Sequence, residues 1–140
     1  MERLTTSPED TELAGAELAA DLRPGDVVLV SGEIGSGKTT FVRGACRGLG
    51  VREPVTSPTY TIGRLYAGSR AGRPLEIAHL DLYRLSGLGG EDPALLDDYL
   101  TPERVAFVEW PGLAEPELER VRARVTLGHR GPHQRLVAVR

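Results

Sequence analysis

Gly32-Glu33-Ile34-Gly35-Ser36-Gly37-Lys38-Thr39-Thr40 is a complete G-x-x-x-x-G-K-[ST] loop, the pattern of a site for nucleoside triphosphates. Such a loop needs a strand running into it and a helix leaving it. Both are readable. Val27-Val28-Leu29-Val30 is a short β-branched run after the turn Arg23-Pro24-Gly25-Asp26, a strand with its punctuation. Thr39 to Leu49 contains no proline and ends at Gly50, a natural left-handed residue after a helix. A glycine-rich surface loop without a ligand is the competing reading, and the flanking elements argue against it.

Lys38 is the only lysine of the chain, and the other sixteen basic residues are arginine. A planar, forked guanidinium cannot replace a compact ammonium as a point charge between β- and γ-phosphates. The lone lysine therefore reads as a chemical requirement.

Outward from the loop, the chain has the size of one domain. Its 140 residues are enough to bury about two-thirds of the unfolded surface. Apolar content of 40% and charged content of 26% are ordinary for a soluble protein, and the net charge is −3. A protein that grips a nucleic acid alone usually carries a basic face, so direct, autonomous nucleic-acid binding is the less expected case. Cys46 is the single cysteine, which rules out an intrachain disulfide and a cysteine zinc site. It reads as a small buried hydrophobe. Glu9, Asp10, Glu12 and Glu17 are foreign to a secretory signal, and no apolar run has the length of a membrane span. The expected location is the cytosol.

Ser7 at an N-cap, Pro8 at the first position and acids in the first turn predict a helix to about Leu22. Thr59 to Tyr66 and Leu75 to Leu80 predict an antiparallel hairpin around a Gly/Arg loop at residues 67–74. Asp92 and Pro93 open a short helix to Leu100. Val105 to Val108 is apolar throughout, as in a strand covered on both faces. Glu115 to Glu119 suggests one helical turn. Val121 to Leu127 and Leu136 to Val139 flank a turn at Gly128 to Pro132. Together these predict an α/β fold: a three-layer P-loop NTPase-like domain with a mixed, parallel plus antiparallel, central sheet.

The backbone N–H groups of Gly35 to Thr39 are expected to cradle phosphates at the helix start. Glycines at 32, 35 and 37 let the chain bend and approach a ligand closely. Lys38 would hold the β/γ-phosphates and the Thr39 hydroxyl a Mg²⁺ ion. An acid ending an apolar strand should complete the metal site, and two qualify: Asp81 after Leu75–Leu80, and Glu109 after Val105–Val108. Trp110, the only tryptophan, could stack on adenine or cap the sheet edge. His79 shares a strand face with Asp81 and reads as a structural histidine or a polar helper. His129 and His133 flank the last turn and look solvated.

GEIGSGKTT (32–40), TSPTYT (56–61), HLDLYRL (79–85) and VEWP (108–111), in that order and spacing, resemble the TsaE family, also called YjeE. The resemblance spans nearly the whole chain. It implies a Mg²⁺-dependent P-loop ATPase of low intrinsic activity in bacterial tRNA threonylcarbamoyladenosine synthesis, binding ATP and ADP. It implies TsaB and TsaD as partners, which transfer a threonylcarbamoyl group, from the adenylate made by TsaC, to the adenosine beside the anticodon. By the same resemblance Thr39 and Glu109 are metal ligands and Asp81 is an essential acid near the γ-phosphate. Ser57 to Thr59 form a nucleotide-sensing loop, Trp110 lies beside the base, and the regions of Thr11 and Gly131 complete the pocket.

Three other functions compete. A small P-loop phosphotransferase needs a lid and an acceptor pocket, for which the residues after the loop leave little room. A GTPase needs N-K-x-D for guanine, impossible when the sole lysine is Lys38. An ATP-dependent assembly module without required hydrolysis differs only in turnover.

Overall fold

The computed structural model of the chain describes residues 1–58, 62–83, 94–112 and 118–140. In chain order its elements are β1 (Glu2–Thr5), α1 (Pro8–Ala19), β2 (Val27–Gly32), α2 (Lys38–Gly48), β3 (Gly63–Arg70), β4 (Arg73–Asp81), α3 (Ala94–Asp97), β5 (Arg104–Glu109), β6 (Val121–His129) and β7 (Arg135–Val139). Among the described residues the strands form one seven-stranded sheet in the order β1-β7-β6-β2-β5-β4-β3. The central four, β4, β5, β2 and β6, run parallel. β3 pairs antiparallel at one edge, and β7 and then β1 at the other. This is the expected mixed sheet.

The apolar runs occupy its centre because both faces there are covered. Val28, Val30, Phe107 and Val125 pack under α1 and α2. Leu29, Leu80, Ala106 and Val108 face the other way, against Leu96 of α3 and the flanking Tyr99, Leu100 and Leu118. Among the described residues that second layer is one four-residue helix with its neighbouring turns.

Helix α1 starts as its sequence dictates. The Ser7 hydroxyl accepts from the Asp10 N–H at 3.1 Å, and Asp10 in turn accepts from the Thr6 N–H and hydroxyl at 3.1 and 2.8 Å. Those bonds hold the Asp10 carboxyl below its usual pKa. The helix stops at Ala19, earlier than Leu22, and continues as turns through Leu22. The Arg70 guanidinium donates to the carbonyls of Ala19 and Leu22, so a cation from β3 caps this C-terminus.

The Gly/Arg segment expected as a loop at 67–74 is strand. β3 and β4 stay paired through Arg70 and Arg73, leaving the two-residue turn Ala71-Gly72, both at positive φ, the geometry that twists correctly into a hairpin. The small residues have a tertiary cause. A Cβ on Gly68 would lie 2.2 Å from the Leu49 carbonyl oxygen, and the Ser69 N–H donates to that oxygen at 2.9 Å. Pro74 is tolerated because β4 overhangs β5 there, whose pairing begins only at Glu76.

Other expectations divide. β1 has no counterpart in the sequence reading: it is a four-residue strand whose only ladder is with β7. Of the helix expected over 92–100, the described part is Ala94–Asp97, after which Leu96 accepts from Tyr99 and Leu100 in a closing turn. Asp92, Pro93, the strand start at Thr59 to Thr61 and most of the turn at 115–119 lie outside the described residues. The last hairpin forms as expected, its strands reaching His129 and Arg135.

Two glycines set how the helices meet. A Cβ on Gly15 of α1 would fall 2.1 Å from the Phe41 carbonyl oxygen, and one on Gly44 of α2 would fall 1.9 Å from that of Glu12. The helix backbones therefore touch. Gly44→Ala should lower the unfolding free energy by at least ~2 kcal/mol, since backbone has to move to admit the methyl. Chemical denaturation of the variant checks this, and a gain in stability, as helix propensity alone predicts, would refute the close contact.

Candidate functional site

The C-terminal ends of β2, β5 and β4 arrive side by side: Val30 pairs with Glu109, and Glu109 with Asp81. Side chains two apart on a strand share a face, which puts His79, Asp81 and Glu109 on the α2 side of the sheet. Ligands of open α/β sheets lodge at such strand ends.

The loop after β2 brings α2 to the same place. Gly32, Gly35 and Gly37 have φ of 150°, 76° and 99°. At Gly32 no other residue fits, because a Cβ would meet the Leu127 carbonyl oxygen at 2.4 Å and the Ser36 hydroxyl at 2.7 Å. Gly37 caps α2 without a side chain, so the N–H groups of the first turn, from Lys38 onward, have no acceptor within the helix.

Lys38 lies along the loop. Its Nζ donates to the carbonyls of Gly32 at 2.9 Å and Glu33 at 2.8 Å, and it sits 4.0 Å from the centroid of the Trp110 ring. Burial pulls its pKa down, while the nearby Glu109 and Asp81 charges oppose that fall. Trp110 has a φ of 56°, rare for a bulky residue, and its ring meets Tyr83 with centroids 4.9 Å apart. The ring therefore covers the ammonium of the phosphate loop.

Thr39, one residue on, points to the strand ends. Its hydroxyl is 2.7 Å from that of Ser57 and donates to the Glu109 carboxylate at 3.2 and 3.3 Å. Glu109 is only 2% exposed, and its Oε2 lies 2.5 Å from Nε2 of the fully buried His79. Asp81 accepts from the Tyr83 N–H at 3.0 Å. Burial pushes its pKa up and the Glu109 charge adds to the rise, against the Tyr83 bond and the His79 and Lys38 charges. Two acids on adjacent strands beside one lysine leave room for a further cation, which would reverse the rise at Asp81.

These side chains line one cleft of about 460 Å³, with Lys38, Thr39, Ser57, Asp81, Glu109 and Trp110 all on its wall. A second cavity of about 310 Å³ shares Gly35, Gly37 and Thr40 with it and extends to Thr11, His133 and Arg135. Among the described residues no group of three His, Cys, Asp or Glu could hold a metal by itself. A Mg²⁺ ion, were one bound, would take one or two protein oxygens and fill its shell with water and phosphate. Thr39 and Glu109 are such hard donors.

A family model described as threonylcarbamoyl adenosine biosynthesis protein TsaE matches residues 5–137. The chain belongs to the TsaE family. It is 37% identical over 131 residues to the tRNA threonylcarbamoyladenosine biosynthesis protein TsaE of Bacillus subtilis, covering 94% of this chain and 79% of that one. To the protein of the same name from Streptomyces coelicolor it is 45% identical over 113 residues, 81% and 75% of the two lengths. The crystal structure of YdiB from Bacillus subtilis aligns with a TM-score of 0.76 at 33% identity, covering 98% of this chain and 82% of that one.

The structure brings Lys38, Thr39, Ser57, Asp81, Glu109 and Trp110 together, and Thr59 lies outside the described residues. Thr11 is buried with its methyl toward Gly37. At the last turn Pro132 and His133, the neighbours of Gly131, border the second cavity. His129 is exposed as expected, with Nε2 3.4 Å from the Ile34 carbonyl oxygen. Arg135 escaped the sequence reading, yet it donates to the Gly35 carbonyl at 3.3 Å. No local motif marks it. Cys46 is buried, its thiol pushed up to about 12 by burial.

In metal-free buffer the raised carboxyl of Asp81 works against the fold once it ionises. Asp81→Asn keeps an acceptor for Tyr83, so it should be more stable than the parent at pH 7. That advantage should disappear as the pH falls below 3.8, the ordinary aspartate value, where both states are protonated. Urea unfolding at several pH values measures it, and equal stability at pH 7 would contradict the assignment.

Proposed function

We propose that this protein is a Mg²⁺-dependent ATPase of low intrinsic activity. In this reading it acts in the cytosol with TsaB and TsaD, in the step that places a threonylcarbamoyl group on the adenosine beside the tRNA anticodon. Membership of the TsaE family supports the pathway. The observation that supports the chemistry most is the meeting of Lys38, Thr39, Asp81 and Glu109 on one cleft wall at the start of α2.

Phosphates would lie across the first-turn N–H groups, where the helix dipole favours anions. Lys38 would turn from its loop carbonyls to the β/γ-phosphates. Mg²⁺, held by Thr39 and Glu109, would supply neutralisation of the charge that develops on the transferring phosphoryl group. Asp81 would hold the water shell of the metal or orient the attacking water. The base would occupy the second cavity, between Thr11 on α1 and His133 after β6, reached across Gly35 and Gly37. The net charge of −3 favours contact with tRNA only through the complex.

Lys38→Ala should weaken ATP binding or abolish hydrolysis. Glu109→Ala and Asp81→Ala should each slow hydrolysis at least about tenfold, roughly 1.4 kcal/mol of barrier, while circular dichroism stays unchanged. Phosphate release with TsaB and TsaD present measures this, and parent-like rates in the Lys38 variant would sink the proposal. Product formation with a non-hydrolysable ATP analogue separates a hydrolysing enzyme from an assembly module.

Trp110 rests on Lys38, so its ring stands at the phosphate end of the cleft. Pyrophosphate alone should therefore change its fluorescence, and adenosine alone should not. The opposite result would put the ring beside the base, as the family resemblance implied. Trp110→Ala would then raise the ADP dissociation constant about 5- to 100-fold, the range for base stacking.

A further inference from the structure

Of the polar side chains around the cleft, His79 is the one with no role so far. It is fully buried on β4, and its ring stands 6.5 Å from that of Tyr66, centroid to centroid. Its Nε2 lies 2.5 Å from Glu109 Oε2, while its Nδ1 is buried with no partner among the described residues. An apolar side chain of similar size would fill this place without stranding a nitrogen, which costs about 1–3 kcal/mol. What an apolar side chain could not supply is a donor to Glu109.

The hydrogens along the cleft can be assigned in one direction. The Ser57 hydroxyl donates to Thr39, the Thr39 hydroxyl to Glu109, and Glu109 accepts a second bond from the other side, from His79. The geometry asks for a donor at Nε2. The alternative tautomer would bury an unpaired N–H and set a bare Nε2 lone pair against the carboxylate.

We infer that His79 is a positioning residue for Glu109: its Nε2–H fixes the carboxylate in the orientation that meets Thr39. The inference rests on the proposed Mg²⁺–nucleotide site. When the Thr39 oxygen turns to a metal, its bond to the carboxylate is the one at risk, and the His79 bond alone keeps Glu109 aimed. Hydrogen-bond partners behind a metal ligand set its orientation, and their loss typically lowers metal affinity about 10- to 100-fold.

The test uses His79→Gln, whose amide can reach the position of Nε2, and His79→Leu, which fills the space without a donor. ADP binding is measured by calorimetry in EDTA and across a Mg²⁺ titration, with thermal unfolding as the check on folding. His79→Leu should shift the Mg²⁺ midpoint upward about 10- to 100-fold and leave ADP affinity in EDTA at the parent value. His79→Gln should restore a midpoint close to the parent's. Should the leucine variant fail to fold, His79→Asn replaces it, because its shorter amide cannot reach Oε2. A midpoint unmoved in the donor-less variant, or moved equally in both, overturns the inference. Nitrogen-15 shifts of the His79 ring in the ligand-free parent should report a protonated Nε2, and an Nε2 without its proton also overturns it. A parent that binds no ADP, or binds it without regard to Mg²⁺, removes the nucleotide site and this inference with it. The nitrogen shifts would then show whether the hydrogen bond to Glu109 still stands.

Discussion

Glu109 is a carboxylate at the end of a buried strand, and the architecture of the cleft follows from keeping it satisfied. An ionised carboxylate out of water costs several kcal/mol unless donors surround it. Here the donors come from opposite directions: His79 from the neighbouring strand, and Thr39 from the first turn of α2. Their meeting requires β4 in register with β5, and it requires α2 to start where β2 ends. Parallel pairing of β2, β5 and β4 meets the first requirement, and the glycine loop meets the second. Sheet register and loop geometry are thus coupled through one side chain.

The position of α2 also depends on α1. With Gly15 and Gly44 at their crossing, the helices approach until backbone meets backbone, and the Thr11 methyl arrives beside Gly37. Thr11 is fixed in turn by its hydroxyl, 2.8 Å from that of Thr5 on β1. A four-residue edge strand and two helix glycines therefore set the place of Thr11, which lines the second cavity. Contacts far from the phosphate-loop residues thus bear on the shape of that cavity.

Residues whose roles are set by local geometry were legible in the sequence. Val105–Val108 lacks any polar side chain, which only a strand covered on both faces explains, and Glu109 and Asp81 end apolar runs at the strand ends. The phosphate loop declares itself through three glycines and the lone lysine. Residues whose roles come from distant pairing were not legible. The small residues of 67–70 look like a loop until the C-terminus of α2 is seen packed on them. Gly15 and Gly44 look like weak points in helices, and only the crossing gives them a reason. Arg135 reaches the loop because β7 pairs with β6, and β6 with β2, two registers that no short pattern encodes. His79 could be placed on the face of Asp81, but its partner lies thirty residues away on another strand.

Lys38 shows why one lysine was kept in a chain of arginines. An ammonium has three donors arranged tetrahedrally. Two meet the carbonyls of Gly32 and Glu33, and the remaining side of the group faces the Trp110 ring. The charge is thus accommodated in a buried place. A planar guanidinium spreads its charge over a forked group, so from the same place it could not act as a point charge between two phosphates. The same argument bears on exchange with a phosphate. A cation–π contact is worth about 0.5–2 kcal/mol, less than a charge-assisted bond to an anion at a helix N-terminus. The ring therefore holds the lysine in place but weakly enough to be displaced.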